Sequence, residues 1–134
     1  MKIAKSIDIQ NAVHATWLHK NNRLTVVDIE NIVRMYDLGQ DYKLVNGFKS
    51  NIETSVSYVN NLGISEDGKF IVFYRASKRE LLVFHVPQKK FIYAIKAHQG
   101  GTESVVFSPD SSAFVSGGVD GRICMWSVTN GKKI

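Results

Sequence analysis

The chain has 134 residues, of which 44% are hydrophobic and 22% are charged, and its formal net charge is +5. This composition is typical of a folded globular domain and excludes an intrinsically disordered chain. The single cysteine, Cys124, excludes an internal disulfide, and no apolar run in the sequence is long enough to span a bilayer as a helix.

The N-terminal segment, MKIAKSIDIQNAVH, has no uninterrupted apolar stretch of the kind that a secretory signal needs. We therefore expect a cytoplasmic protein with no membrane partner. The positive net charge favours acidic partners through long-range attraction. The basic residues are nevertheless dispersed along the sequence, whereas a nucleic-acid-binding surface would cluster them on one face, so nucleic acid is not an expected partner.

Short apolar stretches separated by turn residues predict β-strands along the whole chain. A first strand is predicted within Ile3–Ile9. Four more are expected near Val13–Leu18, Arg23–Asp28, Ile32–Leu38 and Tyr42–Phe48. The next four are expected near Ser57–Ile64, Phe70–Tyr74, Leu81–Val86 and Lys90–Lys96. The last group comprises Glu103–Ser108, Ala113–Ser116, Arg122–Val128 and the short segment Lys132–Ile134.

Two landmarks recur at a nearly constant spacing. A polar turn follows the first strand of each group, after Leu18, Ile64 and Phe107, at spacings of 46 and 43 residues. An aromatic residue in the third strand recurs at spacings of 48 and 42 residues, at Tyr36, Phe84 and Trp126. These spacings are close to the period of about 40–45 residues that is typical of four-stranded propeller blades.

The clearest repeat runs from His98 to Ile134 and contains a Ser-Pro-Asp turn, a Gly-Gly-Val-Asp-Gly turn and a strand with Trp126. It resembles one repeat of the WD-repeat (WD40) β-propeller family. The resemblance implies an all-β fold, a β-propeller fragment of about three four-stranded antiparallel blades, as a single domain over residues 1–134. It assigns 2–11 to a closing outer strand, 12–50 to blade one, 51–98 to blade two, and 99–134 to blade three with a truncated outer strand.

The resemblance also implies a structural hydrogen-bond network in blade three, formed by His98, Ser116, Asp120 and Trp126. Here Ala97-His98 stands where the family has Gly-His, and Trp126-Ser127 where it has Trp-Asp. Counting six residues back from the aromatic landmark reaches Glu30 in blade one and Lys78 in blade two. Neither blade has the full network, so both are expected to be held by apolar packing alone.

No catalytic, metal or cofactor site is expected. Ser116, His98 and Asp120 could suggest acyl-transfer chemistry, but the sequence has no Gly-x-Ser-x-Gly nucleophile turn. His14 and His19 are five residues apart and are expected on opposite faces of one strand, and no pair with zinc-ligand spacing occurs. Gly117 and Gly118 are interpreted as turn glycines rather than as part of a phosphate-binding loop.

The resemblance implies a non-catalytic protein–protein interaction scaffold whose partners are proteins. The candidate partner-binding loop is the charged turn of blade two, with Arg75, Lys78 and Arg79, because propeller surfaces are built from such loops. An isolated set of three blades should also self-associate or be completed by further blades.

Two alternatives remain open at this point. One is a propeller-type enzyme or ligand sensor with a site in the central channel, and the other is weak nucleic-acid binding through basic loops. The first needs polar side chains on the inner strands. Apolar residues that are expected to pack occupy these positions instead, namely Ala15, Trp17, Val59, Leu62, Val105 and Phe107.

Overall fold

The structure, a computed structural model, describes residues 5–50 and 62–134. Its first sheet contains four antiparallel strands in the order β1-β2-β3-β4. The strands are β1 (Ala12–Leu18), β2 (Arg23–Asp28), β3 (Ile32–Asp37) and β4 (Lys43–Lys49), with a short 3-10 helix, Leu38–Gln40, before β4. We call this sheet blade one.

The second sheet, blade two, has the strand order β5-β6-β7-β8 and is also antiparallel. Its strands are β5 (Leu62–Ile64), β6 (Phe70–Arg75), β7 (Glu80–His85) and β8 (Lys90–Ile95). Strand β6 is apolar over most of its length because blade two is covered on both faces by its neighbours.

The third sheet, blade three, has the order β11-β10-β9. Its strands are β9 (Thr102–Phe107), β10 (Ala113–Gly118) and β11 (Ile123–Ser127). Lys133 adds an antiparallel bridge to Trp126, at the place of a fourth strand. Three antiparallel sheets in succession confirm the predicted all-β propeller fragment.

From Ala12 onwards, the strand bounds agree with the sequence prediction to within one or two residues wherever the structure describes them. Two predictions fall partly outside the described residues: the strand at Ser57–Ile64, of which residues 57–61 are not described, and the strand within Ile3–Ile9. Residues 5–9 do not form a strand. Lys5 instead forms an ion pair with Asp41 and lies over the Tyr42 ring, at the outer edge of blade one.

Two apolar layers hold the three blades together. The first, between blades one and two, contains side chains such as Leu18, Val27, Ile71 and Phe84. The second, between blades two and three, contains Val72, Leu81, Val83, Phe114 and Trp126. The core therefore lies between successive sheets, as in a stack of blades.

Each end of this stack leaves a row of apolar side chains uncovered. On blade three, Val115 pairs with Val106 on one side and with Met125 on the other, and Val106 and Met125 are both exposed. On blade one, Trp17 is 55% exposed. The prediction that Ala15 and Trp17 pack in the interior was wrong, because among the described residues no preceding blade covers that face of β1.

Two close backbone approaches fix glycines in strands rather than in turns. Gly63 in β5 lies against β9, where an added Cβ would be 2.7 Å from a methyl carbon of Val105. Gly117 and Gly118 were predicted as turn residues, but they are the last two residues of β10. An added Cβ at Gly118 would be 2.2 Å from Cγ of His98, so this glycine makes room for the imidazole ring.

Candidate functional site: the loop end of blades two and three

Four side chains at the loop end of blade three form a continuous hydrogen-bond chain. The indole N–H of Trp126 donates to Ser116 Oγ over 2.8 Å, and Ser116 Oγ is 2.8 Å from His98 Nε2. On the other side of the ring, His98 Nδ1 is 3.0 Å from Asp120 Oδ1. All partners are satisfied if Ser116 donates to Nε2 and the proton on Nδ1 is donated to Asp120.

This arrangement leaves Ser116 unsuited to nucleophilic attack. Its side chain is completely buried, with 0% exposure, so no substrate can reach Oγ. The hydroxyl oxygen also accepts the Trp126 N–H and lies 2.8 Å from His98 Nε2, so both of its polar functions are used inside the blade. The geometry is that of a brace between β10, β11 and the segment before β9.

Asp120 connects this chain to the backbone of two loops. Its Oδ1 accepts the Arg122 N–H at 3.2 Å, and its Oδ2 accepts the Gln99 N–H at 3.1 Å. Burial acts to raise the pKa of Asp120, but the bonds from Arg122, Gln99 and His98 outweigh it and hold the pKa below its ordinary value. Both carboxylate oxygens are therefore engaged inside the protein.

Blade one contains an ionic brace that the sequence analysis missed. Asp28 is buried at the end of β2, and its Oδ2 accepts from Arg34 Nη1 on β3 over 2.7 Å. Its Oδ1 accepts the backbone N–H groups of Glu30 (2.9 Å) and Ile32 (3.0 Å). The prediction that blade one is held by apolar packing alone was wrong, because the carboxylate sits two residues before the counted position Glu30.

The charged turn of blade two divides into a paired and an unpaired part. Arg75, at the end of β6, forms an ion pair with the buried Glu80 at the start of β7. Lys78 and Arg79 lie in the turn itself, and both are exposed. Of the three residues predicted to bind a partner, Arg75 thus has a structural partner inside the hairpin, and the other two face solvent.

Lys78 and Arg79 form one wall of a cavity of about 500 Å³. Its other walls are the segment from Lys96 to Gly100, which joins β8 to β9, and the turn with Asp120 and Arg122. We call this cavity the loop-end groove. In this groove the predicted binding loop lies beside the hydrogen-bond chain of blade three. The spacing of residues in the sequence could not predict that these two parts are neighbours.

A second cavity, of about 550 Å³, is mainly apolar and lies along the inner strands of the three blades. It is lined by parts of β1, β5 and β9 with the turns that follow them. His14 and His19 both line it, so the prediction that they lie on opposite faces was wrong; β1 ends at Leu18, and His19 belongs to the following turn. The Nε2 of His14 is 2.7 Å from Thr16 Oγ1.

Two absences among the described residues bear on the class of site. Over residues 5–50 and 62–134, no group of three or more His, Cys, Asp or Glu side chains is placed to hold a metal ion. In the same ranges, no helix has the length and apolar character needed to cross a membrane.

Comparison with known proteins agrees with this architecture. Residues 89–127 match the family model for the WD domain, G-beta repeat. The chain is 28% identical over 123 residues to periodic tryptophan protein 2 of Saccharomyces cerevisiae, covering 91% of this chain and 13% of that protein. It is 23% identical over 127 residues to the periodic tryptophan protein 2 homolog of Mus musculus, covering 95% of this chain and 13% of that protein.

A crystal structure of RRP9 WD40 repeats superposes with a TM-score of 0.68, over 96% of this chain and 39% of that chain. At 12% identity this likeness concerns the fold alone. The chain spans only a small part of the relatives' length. The matched repeat, the succession of antiparallel blades and the hydrogen-bonded His98–Trp126 chain all agree: residues 89–127 match a WD repeat, and the chain as a whole is similar to WD-repeat β-propellers.

Proposed function

We propose that this protein is a non-catalytic scaffold for protein–protein interaction and that it binds a partner at the loop-end groove. The observation that carries the proposal is the contrast between two sets of polar groups. The side chains that could take part in a reaction, in the hydrogen-bond chain from Trp126 to Asp120, are all bonded to each other. The groups that face the groove from solvent, such as Lys78 and Arg79, are available to a partner.

The rigidity of the surrounding structure supports this proposal. Two of the three walls of the groove are turns fixed by hydrogen bonds: Arg79 N–H donates to the Ala76 carbonyl over 3.2 Å, and Gly121 N–H donates to the Gly118 carbonyl over 3.0 Å. A site that is already ordered loses little conformational entropy on binding. We propose a cytoplasmic location as well.

Site-specific photo-crosslinking in cells tests the proposal. A photoactivatable amino acid replaces Gln99, which is exposed and lines the groove. The matched control replaces Gln88, an exposed glutamine in the β7–β8 turn at the opposite end of blade two. We expect protein adducts from position 99 that are absent from position 88. Equal labelling at both positions, or none at 99, would show that the groove is not a protein-binding site.

We also propose that the uncovered faces of blades one and three are covered by a second copy of this chain or by further blades. Met35, Val83 and Met125 each lie directly before the aromatic landmark of their blade. The first two are buried by the following blade, whereas Met125 is 46% exposed. Blade three therefore presents the kind of face that blades one and two use for packing, and blade one of a second copy offers the complementary face.

A further inference from the structure

We infer that the partner segment recognised by the loop-end groove is an acidic peptide, an inference that rests on the proposed function. Four basic side chains line the groove, and all are exposed: Lys78, Arg79, Lys96 and Arg122. Among the described residues, none of the four has an ion pair or a side-chain hydrogen bond. Lys5, Arg34 and Arg75 are each paired with a carboxylate of this chain, and what distinguishes the four from the other unpaired lysines and arginines is that they lie around one cavity.

The carboxylate of Asp120 offsets only one of the four positive charges of this cluster. It is the single acidic residue of the groove lining, and its two oxygens accept bonds from His98 and from the backbone of Arg122 and Gln99. The four cations therefore keep an excess of positive charge around the groove. Carboxylates of a bound segment would supply the counter-charges, and charge-assisted bonds to Arg79 and Arg122 could be bidentate.

The lining favours a peptide over a single-stranded nucleic acid. Proteins that bind single strands combine a basic groove with aromatic side chains on which the bases stack. No Phe, Tyr or Trp lines this groove, and its one imidazole, His98, is buried and bonded on both ring nitrogens. A cavity of about 500 Å³ with the exposed amide of Gln99 suits a short extended segment with carboxylate side chains.

The backbone provides a way to remove one cation without disturbing the fold. Arg79 has a φ of 53°, in the left-handed region that glycine adopts without strain. Lys89 has nearly the same conformation, with a φ of 51°, at the same place in the β7–β8 turn at the other end of the sheet. Arg79→Gly and Lys89→Gly thus remove one positive charge each from equivalent backbone positions, and only the first lies in the groove.

The experiment measures binding of a fluorescein-labelled poly-glutamate peptide to the 134-residue chain by fluorescence anisotropy. Poly-glutamine is the uncharged control. A single-stranded RNA oligonucleotide is the competitor that represents nucleic acids. We expect poly-glutamate to bind and poly-glutamine not to bind. Arg79→Gly should weaken binding about two- to five-fold, as expected for one exposed ion pair, and Lys89→Gly should leave it unchanged.

A second pair of variants shows whether the weaker binding of Arg79→Gly comes from the lost charge or from the change to glycine. Lys96→Gln and Arg122→Gln, which change other walls of the groove, should each weaken poly-glutamate binding by a similar factor, and adding salt should weaken binding of the unmodified chain. Equal losses in Lys89→Gly and Arg79→Gly would overturn the inference, because binding would then depend on net charge alone.

The remaining outcomes separate this inference from the proposed function. Tighter binding of the RNA than of poly-glutamate, weakened by the same groove variants, would overturn the acidic-peptide assignment in favour of nucleic acid. Absence of poly-glutamate binding together with protein adducts at position 99 would overturn the acidic chemistry but retain the protein-binding groove. Absence of both would overturn the proposed function as well.

Discussion

Trp126 donates its indole N–H to the hydroxyl of Ser116, and the two residues lie on neighbouring strands with little or no exposure to solvent. This single contact joins the two ways in which blade three is stabilised. The Trp126 ring packs in the apolar layer against blade two, and its one polar atom begins the hydrogen-bond chain that ends at Asp120. A buried tryptophan normally finds such a partner for its N–H.

Replacing Trp126 with alanine should therefore be among the most damaging changes in blade three. It removes a large buried aromatic side chain and leaves the Ser116 hydroxyl short of one donor, at a cost of about 3–5 kcal/mol. Chemical denaturation of the variant and the unmodified chain measures the difference. Gln88→Ala, in an exposed turn, is the control and should change stability by less than about 0.5 kcal/mol. Equal stability of the Trp126 variant would contradict its placement in the core.

Asp28 should be the corresponding polar determinant of blade one. Asp28→Ala leaves Arg34 and two backbone N–H groups without their acceptor, and unsatisfied buried groups cost about 1–3 kcal/mol. Glu30→Ala is the matched control two residues away, because the Glu30 side chain is exposed. Thermal denaturation of both variants should show a clear loss for Asp28→Ala alone. A loss of the same size in Glu30→Ala would mean that the ion pair with Arg34 is not what holds the turn.

The sequence predicted the hydrogen-bonded carboxylate of blade three but not that of blade one, and this difference has a physical reason. In blade three the acid lies in the turn, six residues before Trp126, so the spacing known from the WD-repeat family finds it. In blade one the acid lies at the end of β2, eight residues before Tyr36, and its partner Arg34 is on the next strand. A carboxylate at a strand end followed by a basic residue on the facing strand is a signal that could have found this pair.

The loop-end groove could not be predicted from the sequence, for a similar reason. Lys78 and Arg79 could be predicted as an exposed turn because hairpin tips are rich in charge. Their position beside Lys96 and Arg122 depends on how blade three packs on blade two, which no local pattern specifies. The strands themselves were predictable because alternation and turn residues act locally.

Asp110 should make stability depend on pH in the acid range. It accepts hydrogen bonds from the side chain of Ser108 and from the backbone and side chain of Ser112, and these lower its pKa from 3.8 to about 2. A lowered pKa in the folded state stabilises the fold above pH 3.8, and this contribution is lost as the pH falls towards about 2.

Asp110→Asn should therefore melt at a lower temperature than the unmodified chain at neutral pH, and the gap between the two should close as the pH falls through this range. Thermal denaturation followed by circular dichroism at a series of pH values measures the gap. A gap that stays constant down to the lowest pH would show that the charge of Asp110 does not stabilise its turn.

The uncovered face of blade three should promote association of the chain. We expect light scattering to show species larger than a monomer at micromolar concentration, because exposed apolar rows and open sheet edges favour association. Met125→Glu places a charge in the centre of the apolar face and should shift the population towards the monomer. Gln88→Glu adds the same charge at an exposed turn and should not. A monomer for the unmodified chain would contradict association through these faces.

The contact between Gly118 and His98 gives the most specific test of the blade-three chain. An alanine at 118 would place its Cβ 2.2 Å from Cγ of a ring that is held on both nitrogens, so the ring cannot move aside without breaking bonds to Asp120 or Ser116. Overpacking of this kind costs about 1–3 kcal/mol. Gly47→Ala in β4 is the control, since the nearest atom there is 3.9 Å away, and it should be neutral or slightly stabilising.

In a His98→Ala background the clash is absent, so Gly118→Ala should cost clearly less than it does in the unmodified chain. The four proteins of this double-mutant cycle are compared by chemical denaturation. Equal costs of Gly118→Ala in both backgrounds would mean that the glycine does not make room for the imidazole, and that the ring is not fixed in the position from which it bonds Ser116 and Asp120.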